Sequence, residues 1–144
     1  MLVGIASDHR GVQLKKVLVD HFKNFKDYGT MNEESTDYPI YAFKIGEEIR
    51  DKKIDFGILI CGSGIGMSIA CNKVKGVRCA KVDTMQEAEY TRNDNNANVI
   101  AISAELTNED AIGIVETFLN TPFSNLEKHQ RRIDLITKYE ENNA

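Results

Sequence analysis

Short apolar runs alternate with amphipathic stretches along the whole chain, and that alternation predicts its elements. Leu2–Ala6 is apolar on both faces and reads as a buried strand. Asp8-His9-Arg10-Gly11 interrupts the run and a helix follows. In it Leu14, Val17, Leu18 and His21 fall at i, i+3, i+4 and i+7, with Lys15, Lys16 and Asp20 on other faces. Asn24–Tyr28 is a weak second strand, ended by Gly29-Thr30 and a polar loop. Asp37-Tyr38-Pro39 has the form of a helix start, and Tyr38, Tyr41, Ala42, Ile45 and Ile49 continue it as one stripe. Phe56–Ile60, the most continuous apolar run, predicts a central parallel strand. Val77–Ala80 and Ala97–Ile102 are the fourth and fifth strands. Thr84-x-x-Glu87 and Ser124-x-x-Glu127 have the capping-box pattern, and Ala111, Ile114, Val115, Phe118 and Leu119 mark a helix between the last strand and the last helix.

Strand and helix alternating five times predict an α/β fold, a doubly wound five-stranded parallel sheet in a Rossmann-like three-layer sandwich. No repeat, low-complexity segment or Gly/Ser-rich linker divides the chain, so residues 1–144 are expected to form one domain. Composition narrows the class. Hydrophobic residues make up 42% and charged residues 28%, the balance of an ordinary globule. A net charge of −4 argues against nucleic acid or an anionic membrane as partner, and no apolar run is long enough to span a bilayer. The first residues carry no basic n-region, so no signal peptide is expected. Three cysteines make no disulfide framework, and their spacing matches no zinc pattern; a reducing, cytoplasmic compartment is the expectation. Cys71 and Cys79 read as packing residues.

In a doubly wound sheet ligands sit beyond the carboxyl ends of the strands, which selects the loops that matter. The sharpest is Cys61-Gly62-Ser63-Gly64-Ile65-Gly66, a strand end, a glycine turn and a helix start. An ordinary cysteine has a pKa near ~8.5; a helix amino terminus can lower it, and the same N–H groups can hold an oxyanion. Two readings fit: a nucleophile or base in an anion cradle, and a small buried cysteine beside a turn that needs glycine. A dinucleotide fingerprint fits poorly, because the motif lies on the third strand and lacks the usual third glycine spacing. Asp8-His9 is either a cap beside a solvated histidine or a pair that binds sugar hydroxyls and phosphate. Arg92–Asn98 crowds amides and a carboxylate at the amino end of its strand, so it either is a polar loop or reaches a site in a neighbouring subunit. Lys128 and Arg132 share a helical face at i, i+4, suited to a phosphate and equally to a solvated charged surface. Glu47-Glu48 through Lys53 reads as solvated surface.

Taken in order, Ser7-Asp8-His9-x-Gly11, Gly29-Thr30, Thr36-Asp37-Tyr38-Pro39, Ile60 through Gly66, Ala70-x-Asn72-Lys73 and His129-Gln130-x-Arg132 resemble the ribose-5-phosphate isomerase B family, which includes galactose- and allose-6-phosphate isomerases. The resemblance covers nearly the whole chain. It implies an aldose–ketose isomerase without metal or cofactor, dimeric or tetrameric, with its sites at a subunit interface. By position, Cys61 would be the base moving a proton between C1 and C2 through a cis-enediol(ate), and Ser63 a proton relay. The amides of Gly62, Ser63, Gly64, Ile65 and Gly66 would hold the oxyanion. Asp8 and His9 would contact the sugar or its phosphate, Asn95 a sugar oxygen, and Lys128 and Arg132 the phosphate.

The chain departs from the family pattern at three positions. Asp94 stands where the ring-opening histidine is usual, and would take that role as an acid or base. Glu105 replaces an arginine and would repel a phosphate dianion, while Arg10 restores positive charge nearby. Lys128 replaces an arginine, keeping charge and losing the bidentate fork. Ribose 5-phosphate is the expected substrate. A hexose 6-phosphate isomerase and a non-catalytic sugar-phosphate-binding module are the alternatives, and a cysteine phosphatase fits less well because the loop lacks an arginine.

Overall fold

A computed structural model describes residues 1–143. The apolar runs form five strands: β1 (Val3–Ser7), β2 (Phe25–Asp27), β3 (Phe56–Cys61), β4 (Cys79–Lys81) and β5 (Val99–Ser103). Between and after them lie α1 (Val12–Phe22), α2 (Tyr38–Arg50), α3 (Ile65–Cys71), α4 (Met85–Asn95), α5 (Asn108–Asn120) and α6 (Glu127–Asn143), with one 3-10 turn at His9–Gly11. All pairings are parallel and the strand order is β2-β1-β3-β5-β4. Val3 pairs with Phe56 and Gly57 with Val99, so β3 has a strand on each side.

Both faces of the sheet are covered, which is why its central strands β1, β3 and β5 are apolar at nearly every position. Ile5, Ile58, Ile60, Ile100 and Ile102 pack with Leu14, Leu18, Ala88, Ile114 and Phe118 of α1, α4 and α5. Leu59, Cys61, Val99 and Ala101 point the other way, against Ala42 and Ile45 of α2 and Met67 of α3. The doubly wound sandwich expected from the sequence is therefore present. The chain order reverses between β1 and β3, and their following helices lie on opposite faces, so a crevice opens beyond Ser7 and Cys61.

Several expectations shift at the level of single residues. His21 is exposed, pairing with Glu116 at 3.3 Å, while Lys15 is buried. Its ammonium reaches Asp27 at the end of β2, Nζ lying 2.7 and 2.6 Å from the two carboxylate oxygens. The helical period placed Lys15 outside because a lone lysine gives no sign of a carboxylate on another element. Glu48, read as surface, is also buried; it accepts from the Tyr28 hydroxyl at 2.8 Å and pairs with Lys44 at 3.2 Å. Burial first, then Glu48, pushes the Tyr28 hydroxyl up to about 12, while the same bond holds the Glu48 carboxyl below its ordinary value. Thr84 caps α4 as expected, accepting from Glu87 N–H at 3.1 Å. Ser124 lies three residues before α6, too early to cap it as a box. It accepts from Leu126 N–H at 3.1 Å and meets His129 Nδ1 at 2.6 Å.

Candidate active site

The β3 register carries Cys61 to the last paired position, opposite Ser103 on β5, and leaves its side chain 5% exposed. The chain then turns sharply. Gly64 has φ +81°, and a Cβ there would lie 3.1 Å from the Ala101 carbonyl oxygen, so only glycine fits without strain. This turn folds the Gly64 amide back to donate to Cys61 Sγ at 3.2 Å. Ser63 Oγ accepts from Ile65 N–H at 3.1 Å, so two of the loop amides are engaged within the loop itself. Ser103 fixes the turn from the side: its hydroxyl donates to the Gly62 carbonyl at 2.7 Å and accepts from Glu105 N–H at 3.0 Å.

Asp8, just after β1, lines a cleft with this loop; His9, next to it, does not line that cleft. Asp8 is buried and caps the 3-10 turn through Oδ1, which accepts from Arg10 N–H at 3.0 Å. Capping and site position thus coexist in one side chain. His9 Nδ1 accepts from Thr36 N–H at 3.2 Å, which puts the proton of the neutral ring on Nε2. Arg10 lies over Gly62 so closely that a Cβ on that glycine would meet its guanidinium. Its Nη2 stands 3.4 Å from Glu105, both side chains well exposed, so the acidic replacement faces a cation rather than an open phosphate site. Asp8, Arg10, Tyr38, Cys61, Ser63 and the glycines 62 and 66 line an open cleft of about 390 Å³. Tyr38 falls by its period on the α2 stripe; it is 38% exposed and stacks on Gly66 as a wall of the cleft.

The remaining predicted residues gather elsewhere. Because α4 runs back against the strand direction, its end lies at the amino edge of the sheet. Asp94 and Asn95 there meet His129, Arg132 and Ile133 of α6 around a cavity of about 560 Å³. Lys128, one turn before Arg132, is exposed and does not line that cavity, so of the two cations only Arg132 does. His129 Nε2 stands 3.8 Å from Asp94 Oδ1, which also accepts from the Asn93 side-chain amide at 2.7 Å. Cys79 lines the same cavity; the neighbouring Cys71 thiol and burial push its own thiol well up, in keeping with a packing role. No cluster of three or more His, Cys, Asp or Glu side chains placed for a metal occurs among the described residues. Nor is any described helix long and apolar enough to cross a membrane.

The sequence places Tyr38 in the family motif Thr36–Pro39 without a site role, and it does not single out Ser103. For Ser103 the signal is position alone, at the end of the strand next to β3; Tyr38 has its motif and its place at a helix start beside the loop.

A parallel sheet with a cysteine and a glycine turn at its switch point is a small-molecule site of the doubly wound class. Which class member follows from comparison: residues 3–136 match the model of the ribose/galactose isomerase family, and the chain belongs to that family. It is 42% identical over 143 residues to a probable ribose-5-phosphate isomerase B of Mycoplasma genitalium, covering 94% of this chain and 93% of that one. It is 36% identical over 146 residues to the ribose-5-phosphate isomerase B of Mycobacterium tuberculosis, covering 97% and 90%. Among solved structures, ribose-5-phosphate isomerase B of Clostridium thermocellum superposes with a TM-score of 0.96 at 36% identity over 100% of both chains. The Mycoplasma genitalium enzyme with bound ribulose 5-phosphate gives 0.93 at 40% identity, over 98% of this chain and 97% of that one.

Proposed function

We propose that this chain interconverts ribose 5-phosphate and ribulose 5-phosphate by proton transfer through a cis-enediolate, in the cytoplasm and as a homodimer or homotetramer. The observation that carries the reading is the Cys61 loop: a sulfur at a strand end, contacted by a folded-back amide, in a cleft lined by Asp8, Ser63 and Arg10. As thiolate, Cys61 takes the proton from C2 of the open-chain aldose; the C–H electron pair becomes the C1=C2 bond and the C1=O1 π pair moves onto O1. Amides of Gly62, Ser63 and Gly66 stabilise that oxyanion. Ser63, whose oxygen already accepts from Ile65, carries a proton from O2 to O1. The Cys61 thiol then returns its proton to C1, leaving the ketone at C2.

Asp8 and His9 Nε2–H hold the sugar, and Asn95 and Arg132 complete the site. Those last two lie at the opposite edge of the sheet in their own chain, so a second copy must present them to the cleft. The exposed apolar side chains of α6, Leu135, Ile136 and Tyr139, supply surface for such an association.

Cys61→Ala or Ser, a change at a small buried side chain, is expected to keep the fold and abolish exchange of the C2 proton in deuterated water. Retained exchange in the purified variant would overturn the role of Cys61. A panel of ribose, galactose and allose phosphates, run side by side, should show turnover highest with ribose 5-phosphate. Binding of the sugars with no turnover would instead make the chain a carrier.

A further inference from the structure

Building on the isomerase reading, we infer that His129 is the proton partner of Asp94, and that the pair acts as one acid–base unit opening the furanose ring. Three contacts carry this. His129 Nε2 faces Asp94 Oδ1 at 3.8 Å, an ion-pair separation of the kind that tightens when a substrate is bound. On its other side, Nδ1 lies 2.6 Å from Ser124 Oγ, which already accepts from Leu126 N–H. The Ser124 oxygen has a second lone pair that can accept Nδ1–H, so a protonated ring is held with its other N–H, on Nε2, facing Asp94. The two side chains also differ in access: Asp94 is 45% exposed and His129 only 11%. The carboxyl therefore meets the sugar and the imidazole stands behind it, a positioning and proton-holding residue within the cavity that Asn95 and Arg132 share.

This arrangement removes a difficulty of a carboxylate in that place. A lone ionised aspartate accepts a proton readily and has none to give. With the His129 imidazolium holding one transferable proton against the Asp94 carboxylate, the balance closes. The C1–O4 bond breaks with its electron pair going to O4, which takes the proton from the pair through Asp94. As C1=O1 forms, the proton leaving O1 returns to Asp94, and the pair ends as it began.

Ribulose 5-phosphate separates this step from the isomerisation itself, because its C5 oxygen is phosphorylated and it forms no furanose ring. In the full-length protein, His129→Gln should lower kcat/KM for ribose 5-phosphate by about 10- to 100-fold. Exchange of the C1 proton of ribulose 5-phosphate in deuterated water should stay within about twofold of the wild type. Asp94→Asn, at the rim of the cavity, should show the same split, and the double variant should lose no more than the worse single one, as residues acting as a unit do. Equal losses with the two sugars, no loss with either, or additive losses in the double variant would overturn the inference while leaving the isomerase reading intact. Wild-type protein that fails to exchange the ribulose 5-phosphate proton would instead sink the isomerase reading and this step with it.

Discussion

Gly64 shows how a single residue ties the fold to the chemistry. Its positive φ turns the chain at the end of β3, its missing Cβ lets the loop lie against the Ala101 carbonyl, and its amide ends on Cys61 Sγ. Gly64→Ala should cost about 1–2 kcal/mol from the left-handed backbone alone. The variant should melt earlier, and its turnover should fall by more than the loss of folded protein accounts for, because the sulfur loses its contact. Thermal denaturation beside steady-state kinetics checks both. Arg10 makes a different point. Set over Gly62 and opposite Glu105, it keeps a cation at the cleft mouth, but both members of that pair are exposed and contribute little to stability.

Between elements, the buried polar contacts tie α1 to β2 and β2's extension to α2. Lys15 on α1 and Asp27 on β2 form an ion pair in which the lysine side chain is 2% exposed, and Asp27 Oδ1 also accepts from Gly29 N–H at 2.9 Å. Asp27→Asn leaves the ammonium buried without its partner and should destabilise by about 3 kcal/mol, the low end for a broken buried pair. Chemical denaturation measures it. Lys15→Met, which leaves a quarter-exposed carboxylate that water can reach, should cost less. Tyr28 and Glu48 predict a pH dependence at both limits. The Glu48 carboxyl is held below its ordinary value, so its contribution is present above that value and lost as pH falls through the folded one. The Tyr28 hydroxyl is raised from 10.0 to about 12, so its contribution is present below 10.0 and lost as pH climbs to about 12. Tyr28→Phe should lower the melting temperature near neutrality and flatten the alkaline decline; a steep decline that persists in the variant would place its origin elsewhere.

On the scale of the molecule, the Cys61 cleft and the cavity of Asp94 and Arg132 lie at opposite edges of one sheet, and the proposed function needs a second copy to bring them together. Mixing Cys61→Ala with Arg132→Ala tests this directly. Each variant alone should be inactive. After subunit exchange in a two-fold dimer, about a quarter of the wild-type sites should regain activity, since one site of each mixed dimer has both side chains intact. A mixture that stays inactive after demonstrated exchange would mean that Cys61 and Arg132 act within one chain. Dilution should likewise reduce specific activity once the assembly dissociates.

Local periodicity and backbone chemistry account for much of this protein without any tertiary contact. Apolar runs buried on both faces define the strands, Pro39 and Thr84 start their helices, and the Cys61–Gly66 turn stands out because few other residues tolerate such a path. The strand boundaries moved by only one or two residues, and the sheet class and the separation of Cys61 from Asp94 to opposite edges of the sheet were legible from chain direction. What the tertiary structure decided is which distant residues meet. Lys15 and Glu48 look solvent-facing on their own helices and are buried because Asp27 and Tyr28 wait on another element. Tyr38 has the spacing of a core residue and becomes a cleft wall because Gly66 leaves room for its ring. His129 sits in a charged stretch of a polar helix, and its contact with Asp94 exists only because α6 packs across the end of α4. Periodicity reports which way a side chain points from its own backbone axis; what stands opposite is set by the packing of elements far apart in the chain.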